Sequence, residues 1–369
     1  MSVNYLITRI LLIFPTLFFI ILLNFTIIQF APGGPVERTI ALLSGSADLG
    51  QNQFSETSTI QNNANNNQAN LQQNSNYAGS QGLDPQIIAE IEQLYGFDLP
   101  VTERFFKMIK DFLSFDFGES FFKGKPVIDL ILERLPVSIS LGLWSTLLIY
   151  LISIPLGIAK AVRNGSKFDF YTSLIIFIGY AIPSFIFAIL LLVFLGKGGV
   201  LPIFPISGLT SDNFAELSFM AKIKDYALHL TLPTIALVVG GFAALTMLTK
   251  NSFLEEVNKE YVLTARAKGA TEQRILFGHI FRNAMLLIVS QIPENLVKIL
   301  FTGALLVEII FSLEGLGLLG FEAALNRDYP VIFASLYIFS LIALVFNVVG
   351  DMMYAIIDPR ITFASSRNG

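Results

Sequence analysis

Six stretches of this chain are apolar over about the 20 residues an α-helix needs to cross a bilayer. The first, ILLIFPTLFFIILLNFTIIQF, runs from about residue 10 to 30; the others fall near 135–158, 170–195, 228–248, 284–310 and 333–357. Hydrocarbon offers no partner for a free backbone N–H or C=O, so each stretch must satisfy its own polar groups, and helices do this within one segment. The pattern therefore predicts an all-α fold, a polytopic transmembrane helical bundle with six spans. The first stretch is too long for a signal h-region and lacks a clean small-x-small cleavage site, so it reads as an uncleaved span. Pro15, Pro155, Pro183, Pro233 and Pro293 lie in or beside spans, where neighbouring helices can re-satisfy the carbonyls they free.

Composition narrows the chemistry. Hydrophobic residues make up 53% of the 369 and charged ones only 14%, more apolar surface than a soluble domain of this size can bury. There is no cysteine, which excludes disulfides, thiol catalysis and zinc–thiolate sites. Two histidines, His229 and His279, leave little room for a histidine-based metal centre. A net charge of −4 does not suggest nucleic acid as a partner. The expectation is a chain with no catalytic residues, bound cofactor or metal of its own.

Loop charge gives orientation. KAVRNGSKFD, Lys160 to Asp169, has three basic residues against one acid, and Lys250 to Arg282 has six Lys/Arg. The connection from Phe311 to Ile332 has Arg327 alone, and in Gly196 to Ala227 three basic residues are balanced by three acids. Basic loops stay inside, so both termini and these two loops are expected in the cytoplasm. Residues 1–30 form the first span, 31–134 a long extracytoplasmic loop, and 135–369 a five-span core with a cytoplasmic loop over 250–283. Within the long loop, 16 of the 32 residues from Gln51 to Gly82 are Asn or Gln, a tract expected to be disordered. Asp84–Pro85 then reads as an N-cap pair for one amphipathic helix ending near Gly96, with a second from about Pro100 to Leu113. Both are expected to lie against the outer membrane surface.

One element interrupts the oil: TARAKGATEQRI, Thr264 to Ile275. Asn251 to Ala267 reads as a helix, Gly269 as its left-handed cap, and Thr271 as the N-cap of the next short helix. Small residues at the bend (Ala265, Ala267, Gly269, Ala270) admit another backbone, while Arg266, Lys268 and Arg274 can bond acids or carbonyls. By composition alone an ordinary basic loop is the better reading, with a docking element as the alternative.

Resemblance separates the two. YVLTARAKGATEQRILFGHIFRNA resembles the EAA loop of ABC importer permeases of the oligopeptide/dipeptide family, the binding-protein-dependent peptide transporters. LPVSISLGLWSTLLIYLISIPLGI, GYAIPSFIFAILL, TLPTIALVVGGFAALTMLTKNSFLEE, FSLEGLGLLG, NRDYPV and IIDPR match the same family in order. IQFAPGGPVE and LDPQIIAEIEQLYGFDLP are similar to one peptide-uptake branch of it. The resemblance implies the type I ABC importer permease fold, and a loop, Thr264, Ala265, Arg266, Ala267, Lys268, Gly269, Ala270 and Arg274, that seats on an ATP-hydrolysing subunit. It also implies ATP and Mg on that partner ATPase, a homologous second permease as heterodimer partner, an extracytoplasmic peptide-binding protein, and a bacterial inner-membrane location. Transport of oligopeptides or peptide-like compounds follows, with another small solute (dipeptide, nickel, opine) as the alternative. The chain departs from the family at Asn283, where many relatives carry proline, and at Leu263, where an acid would stand.

GLGLLG, with Gly315, Gly317 and Gly320, matches a dinucleotide fingerprint in letters only. It follows a span instead of a strand, so a tight turn or re-entrant segment is expected. No phosphate-binding G-x-x-x-x-G-K-[ST] occurs, so ATP must be bound by another chain. Ionisable residues inside spans are candidates for pathway or bundle-interior roles: Glu294 with Lys298, four residues apart, and Asp351, able to bond Asn347 or face the pathway. A secondary transporter would need internal repeats and its own coupling acids, and an intramembrane protease a catalytic set; neither pattern is present.

Overall fold

The computed structural model describes residues 3–30, 99–293, 295 and 305–357. The Asn/Gln-rich tract, the first amphipathic helix and most of the second half of the fifth expected span lie outside them. Among the described residues the chain is helical, with isolated β-bridges but no strand.

Helix α1 (Val3–Phe30) has one charged side chain, Arg9, in 28 residues. Helix α2 (Val101–Leu113) starts one residue after Pro100, whose extended backbone makes it the N-cap. Helix α3 (Val127–Val162) carries Pro136 and Pro155 inside it and begins eight residues before the expected 135. The third expected span is not one straight helix. It divides into α4 (Lys167–Ala181) and α5 (Ser184–Leu195), bent by 92°. The cause is local: a residue preceding proline avoids the α region, and Ile182 before Pro183 sits at ψ 117. Helix α6 (Phe219–Val257) is followed by α7 (Glu260–Ala267) and α8 (Glu272–Ile275). A π turn, Leu276–Ile280, leads into α9 (Phe281–Ser290). Beyond lie α10 (Leu305–Ile310), α11 (Leu316–Leu325) and α12 (Tyr329–Ile357). Four helices (in α1, α3, α6 and α12) are long and apolar enough to span a membrane, and a fifth if the bent pair counts as one. That is consistent with six spans without establishing the sixth.

The chain divides into two compact units. The larger takes the start of α1, the chain from Leu130 to Phe321, and α12 from Ile338. Its centre is α6 packed on α3 with small residues at the seam. A Cβ on Gly157 would stand 2.5 Å from that of Thr249, and one on Gly241 would stand 2.6 Å from Ile149 Cδ1. Ser153 Oγ donates to Phe242 O at 3.0 Å. Such close backbones recover dispersion and hydrogen bonding where hydrocarbon gives no hydrophobic drive. At 39 residues, α6 is about 58 Å long, well beyond the ~30 Å hydrocarbon core, so one end must emerge.

The smaller unit takes the rest of α1, the chain to Asp129, and Glu322 to Tyr337. The Phe105 ring of α2 sits 5.9 Å from Phe18 and 5.2 Å from Phe25, two turns apart on α1. Phe112, Phe117 and Tyr337 pack edge to face or tilted at 5.1–5.8 Å. Buried Asp328 accepts from Ser120 Oγ at 2.5 Å and from the Phe121 N–H at 3.1 Å, fixing the turn that leads into α3.

Candidate functional site

The loop singled out in the sequence is a folded elbow. The single helix expected from Asn251 to Ala267 is interrupted: α6 ends at Val257, and α7 starts at Glu260. What turns the chain there is Glu256, buried although ionisable. Its carboxylate accepts a short bond from Lys259 Nζ, one from Tyr261 OH at 2.6 Å, and one from the Asn283 amide. Asn283, where many relatives carry proline, thus places a polar side chain beside that carboxylate. The carboxylate raises the Lys259 pKa by hydrogen bonding; burial, then the same carboxylate, pushes Tyr261 up to about 12.

Beyond Ala267 the chain reverses in a Schellman motif. Gly269 N–H donates to Arg266 O at 3.0 Å and Ala270 N–H to Ala265 O at 3.2 Å, with Gly269 at φ +81. Thr271 caps α8, its hydroxyl accepting from Arg274 N–H at 3.4 Å. Arg266 closes the bend with a two-pronged bond to Glu272, Nε to Oε1 at 2.7 Å and the second amino group to Oε2 at 2.9 Å. That bond raises the Arg266 pKa and lowers that of Glu272. Arg266 is therefore committed within the elbow. Lys268 and Arg274 are exposed and form no ion pair with a described residue. Thr264 and Ala267 are exposed; Ala265 and Ala270 are half-buried against the core.

That core anchors the elbow to the spans. Val262, Ile275, Ile280 and Ala284 are buried with Ile149 of α3 and Phe253 of α6 in one cluster. Ser252 Oγ donates to Ala284 O at 2.7 Å, and the Phe253 and Phe281 rings are 6.0 Å apart. Leu263, the second departure from the family pattern, is exposed, as are Phe277 and His279.

The remaining candidates separate. Glu294 and Lys298 lie outside the described residues. Asp351 pairs with Arg9 of α1 at 3.1 Å, a partner at the far end of the sequence. Glu308 is 0% exposed. It accepts from Leu318 N–H at 2.7 Å at the start of α11, where Leu316 N–H donates to Ser138 Oγ at 2.8 Å. A Cβ on Gly315 would stand 2.2 Å from Glu308 Oε1. Gly315, in the turn, and Gly317, at the start of α11, therefore admit a carboxylate of this chain. Lys160, counted in the sequence only as a loop charge, is wholly buried against Asp169. Glu256, Lys160 and Glu308 all escaped sequence reasoning because their partners are set by packing. Only the Glu256–Lys259 spacing of three carried a local signal.

This geometry, a packed elbow following a long apolar helix, coincides with the match to a known family. Residues 153–363 match the binding-protein-dependent transport system inner membrane component family. The chain belongs to that family. It is 56% identical over 360 residues to the inner membrane ABC transporter permease protein YejB of Escherichia coli O157:H7, covering 97% of this chain and 98% of that one. It is 50% identical over 359 residues to the peptidoglycan transport system permease protein YejB of Agrobacterium fabrum, with the same coverage. The oligopeptide transport system permease protein AppB of Bacillus subtilis is 39% identical over 286 residues, covering 76% of this chain and 88% of its own. The chain is thus a membrane-spanning permease, a transport subunit, and membership implies ATPase and substrate-binding partners.

Proposed function

We propose that this permease carries oligopeptides or peptide-like compounds inward across a bacterial inner membrane, driven by ATP hydrolysed on separate subunits. The observation that carries the reading is the elbow: α6 is longer than the hydrocarbon core is thick, and the α7 that follows it ends in a Schellman bend whose exposed tip offers Ala267, Lys268 and Gly269. The peptide cargo rests on relatives named for oligopeptide and peptidoglycan transport.

In this reading the elbow and both termini are cytoplasmic, and ATPase subunits dock on Thr264 to Ala270 and Arg274. A second, homologous permease completes the pathway at the interface between the two, and an extracytoplasmic binding protein delivers peptide to it. Closure of the ATPases on ATP draws the elbows together and favours the outward-open state; hydrolysis resets it. A ligand shifts such an equilibrium only through differential affinity, here ATP binding to the closed ATPases.

The test is uptake of a labelled oligopeptide by proteoliposomes holding the assembled system, with a thiol probe on Ala267→Cys in intact cells. ATP-dependent uptake, and labelling by an impermeant reagent only after the cytoplasmic side is opened, is the expected result. Uptake that ignores ATP and collapses with an uncoupler would make the chain a secondary transporter.

A further inference from the structure

The end of the larger unit that bears the elbow holds a second charged assembly. Lys160, in the last turn of α3, is 0% exposed. Its Nζ donates to Asp169 O at 3.0 Å, Thr172 Oγ1 at 2.9 Å and Ser173 Oγ at 2.7 Å, and lies 3.0 Å from Asp169 Oδ1. An ammonium has three N–H donors, so every one is used. Asp169, in the first turn of α4, also takes Lys250 Nζ of α6 on both oxygens, at 2.9 and 2.7 Å. Its Oδ2 further accepts the Gly165 N–H at 3.1 Å. One carboxylate thus joins the end of α3, the turn after it, the start of α4 and the emergent part of α6.

Seven residues separate Lys250 from the end of α6 at Val257. On its other flank that segment is held to α9 by Ser252 and, through Glu256, to Tyr261 and Asn283. A displacement of the elbow cannot be absorbed between the elbow and α6, because both sit in one packed core. Nor can it be absorbed between α6 and α3, where Gly157 meets Thr249 and Ser153 bonds Phe242 O. Between α6 and α4, the Lys250–Asp169 bond is the charged link. Pulling this largely buried pair apart would leave an uncompensated charge, which is costly, so the link resists separation.

We propose that Asp169 is the positioning residue that makes α4 travel with the elbow when the ATPase moves it. The inference rests on the docking reading above and adds where the motion goes. The chain has no native cysteine, so paired spin labels can be placed on Lys167→Cys, in the first turn of α4, and Gln273→Cys, in α8.

Measured by electron–electron double resonance in the full transporter, the distance between them should be the same nucleotide-free and ATP-trapped. A change in the otherwise unmutated chain overturns the proposal. In Asp169→Asn the distance should change with nucleotide, and peptide taken up per ATP hydrolysed should fall about tenfold or more, while the ATPase still co-purifies. An unchanged distance and an unchanged ratio would overturn it as well. If Asp169→Asn does not accumulate, Lys250→Ala, which keeps the Lys160–Asp169 pair, carries the same two readouts. Should the unmutated chain fail to retain an ATPase, the docking reading falls, and the role of Asp169 with it.

Discussion

Gly269 and Gly315 both sit at sharp turns of the larger unit, for opposite reasons. Gly269 has φ +81 and nothing within 4 Å of where its Cβ would stand; Gly315 lies outside the left-handed region, but its Cβ would meet the Glu308 carboxylate at 2.2 Å. The first glycine is there for conformation and leaves an open surface. The second is there for space and leaves none. An elbow meant to be approached from outside fits the first pattern, and a turn sealed onto a buried carboxylate fits the second.

The difference yields tests in decreasing order of effect. Gly269→Pro forces φ to about −65° and removes the bond to Arg266 O, a cost of roughly 3 kcal/mol or more at the bend. Transport should be abolished while membrane insertion persists, checked by uptake alongside the amount of protein in purified membranes. Gly315→Ala should cost about 1–3 kcal/mol through overpacking, and most of that should vanish in a Glu308→Ala background, read as a double-mutant cycle on thermal unfolding. Gly269→Ala should cost about 1–2 kcal/mol, the left-handed penalty, and the same amount in the Glu308→Ala background. Equal coupling of both glycines to Glu308 would erase the distinction.

How much of this was legible beforehand divides along the same line. The Gly269 cap, the Thr271 N-cap and the α2 boundary at Pro100 were readable because each depends on residues within one turn. Apolar runs gave four long helices for the same reason. Pro183 was visible, yet its effect was read as a tolerated kink, and the bend is 92° because no helical geometry survives at Ile182. Glu256 ending α6 early, Lys160 vanishing into the bundle and Asp351 finding Arg9 depend on side chains brought together by packing, which no local pattern encodes. The Arg266 fork was likewise hidden: a residue read as offered to a partner is bound to Glu272, six positions on.

Two smaller effects probe the elbow through pH. Lys259 and Tyr261 both titrate above their ordinary values, so their contribution is fully present below about pH 10 and is lost as pH rises through the folded values. Tyr261 phenolate absorbance should therefore appear near pH 12, later than that of an exposed tyrosine. Glu272 titrates below its ordinary value, so the Arg266 fork helps above about pH 4 and fades as pH falls through the lowered one. Both partners are exposed, so the effect should be slight, salt-sensitive, and seen as faster hydrogen exchange at Gly269 in acid.

The most direct measurement is site-specific cross-linking from the elbow tip in the assembled transporter. A single cysteine at Ala267, carrying a short photo-reactive group, should capture the ATPase subunit and lose it in Gly269→Pro. The same group at Ser211, in the connection between α5 and α6, should not. Capture of no ATPase from Ala267, or equal capture from both positions, would contradict the account.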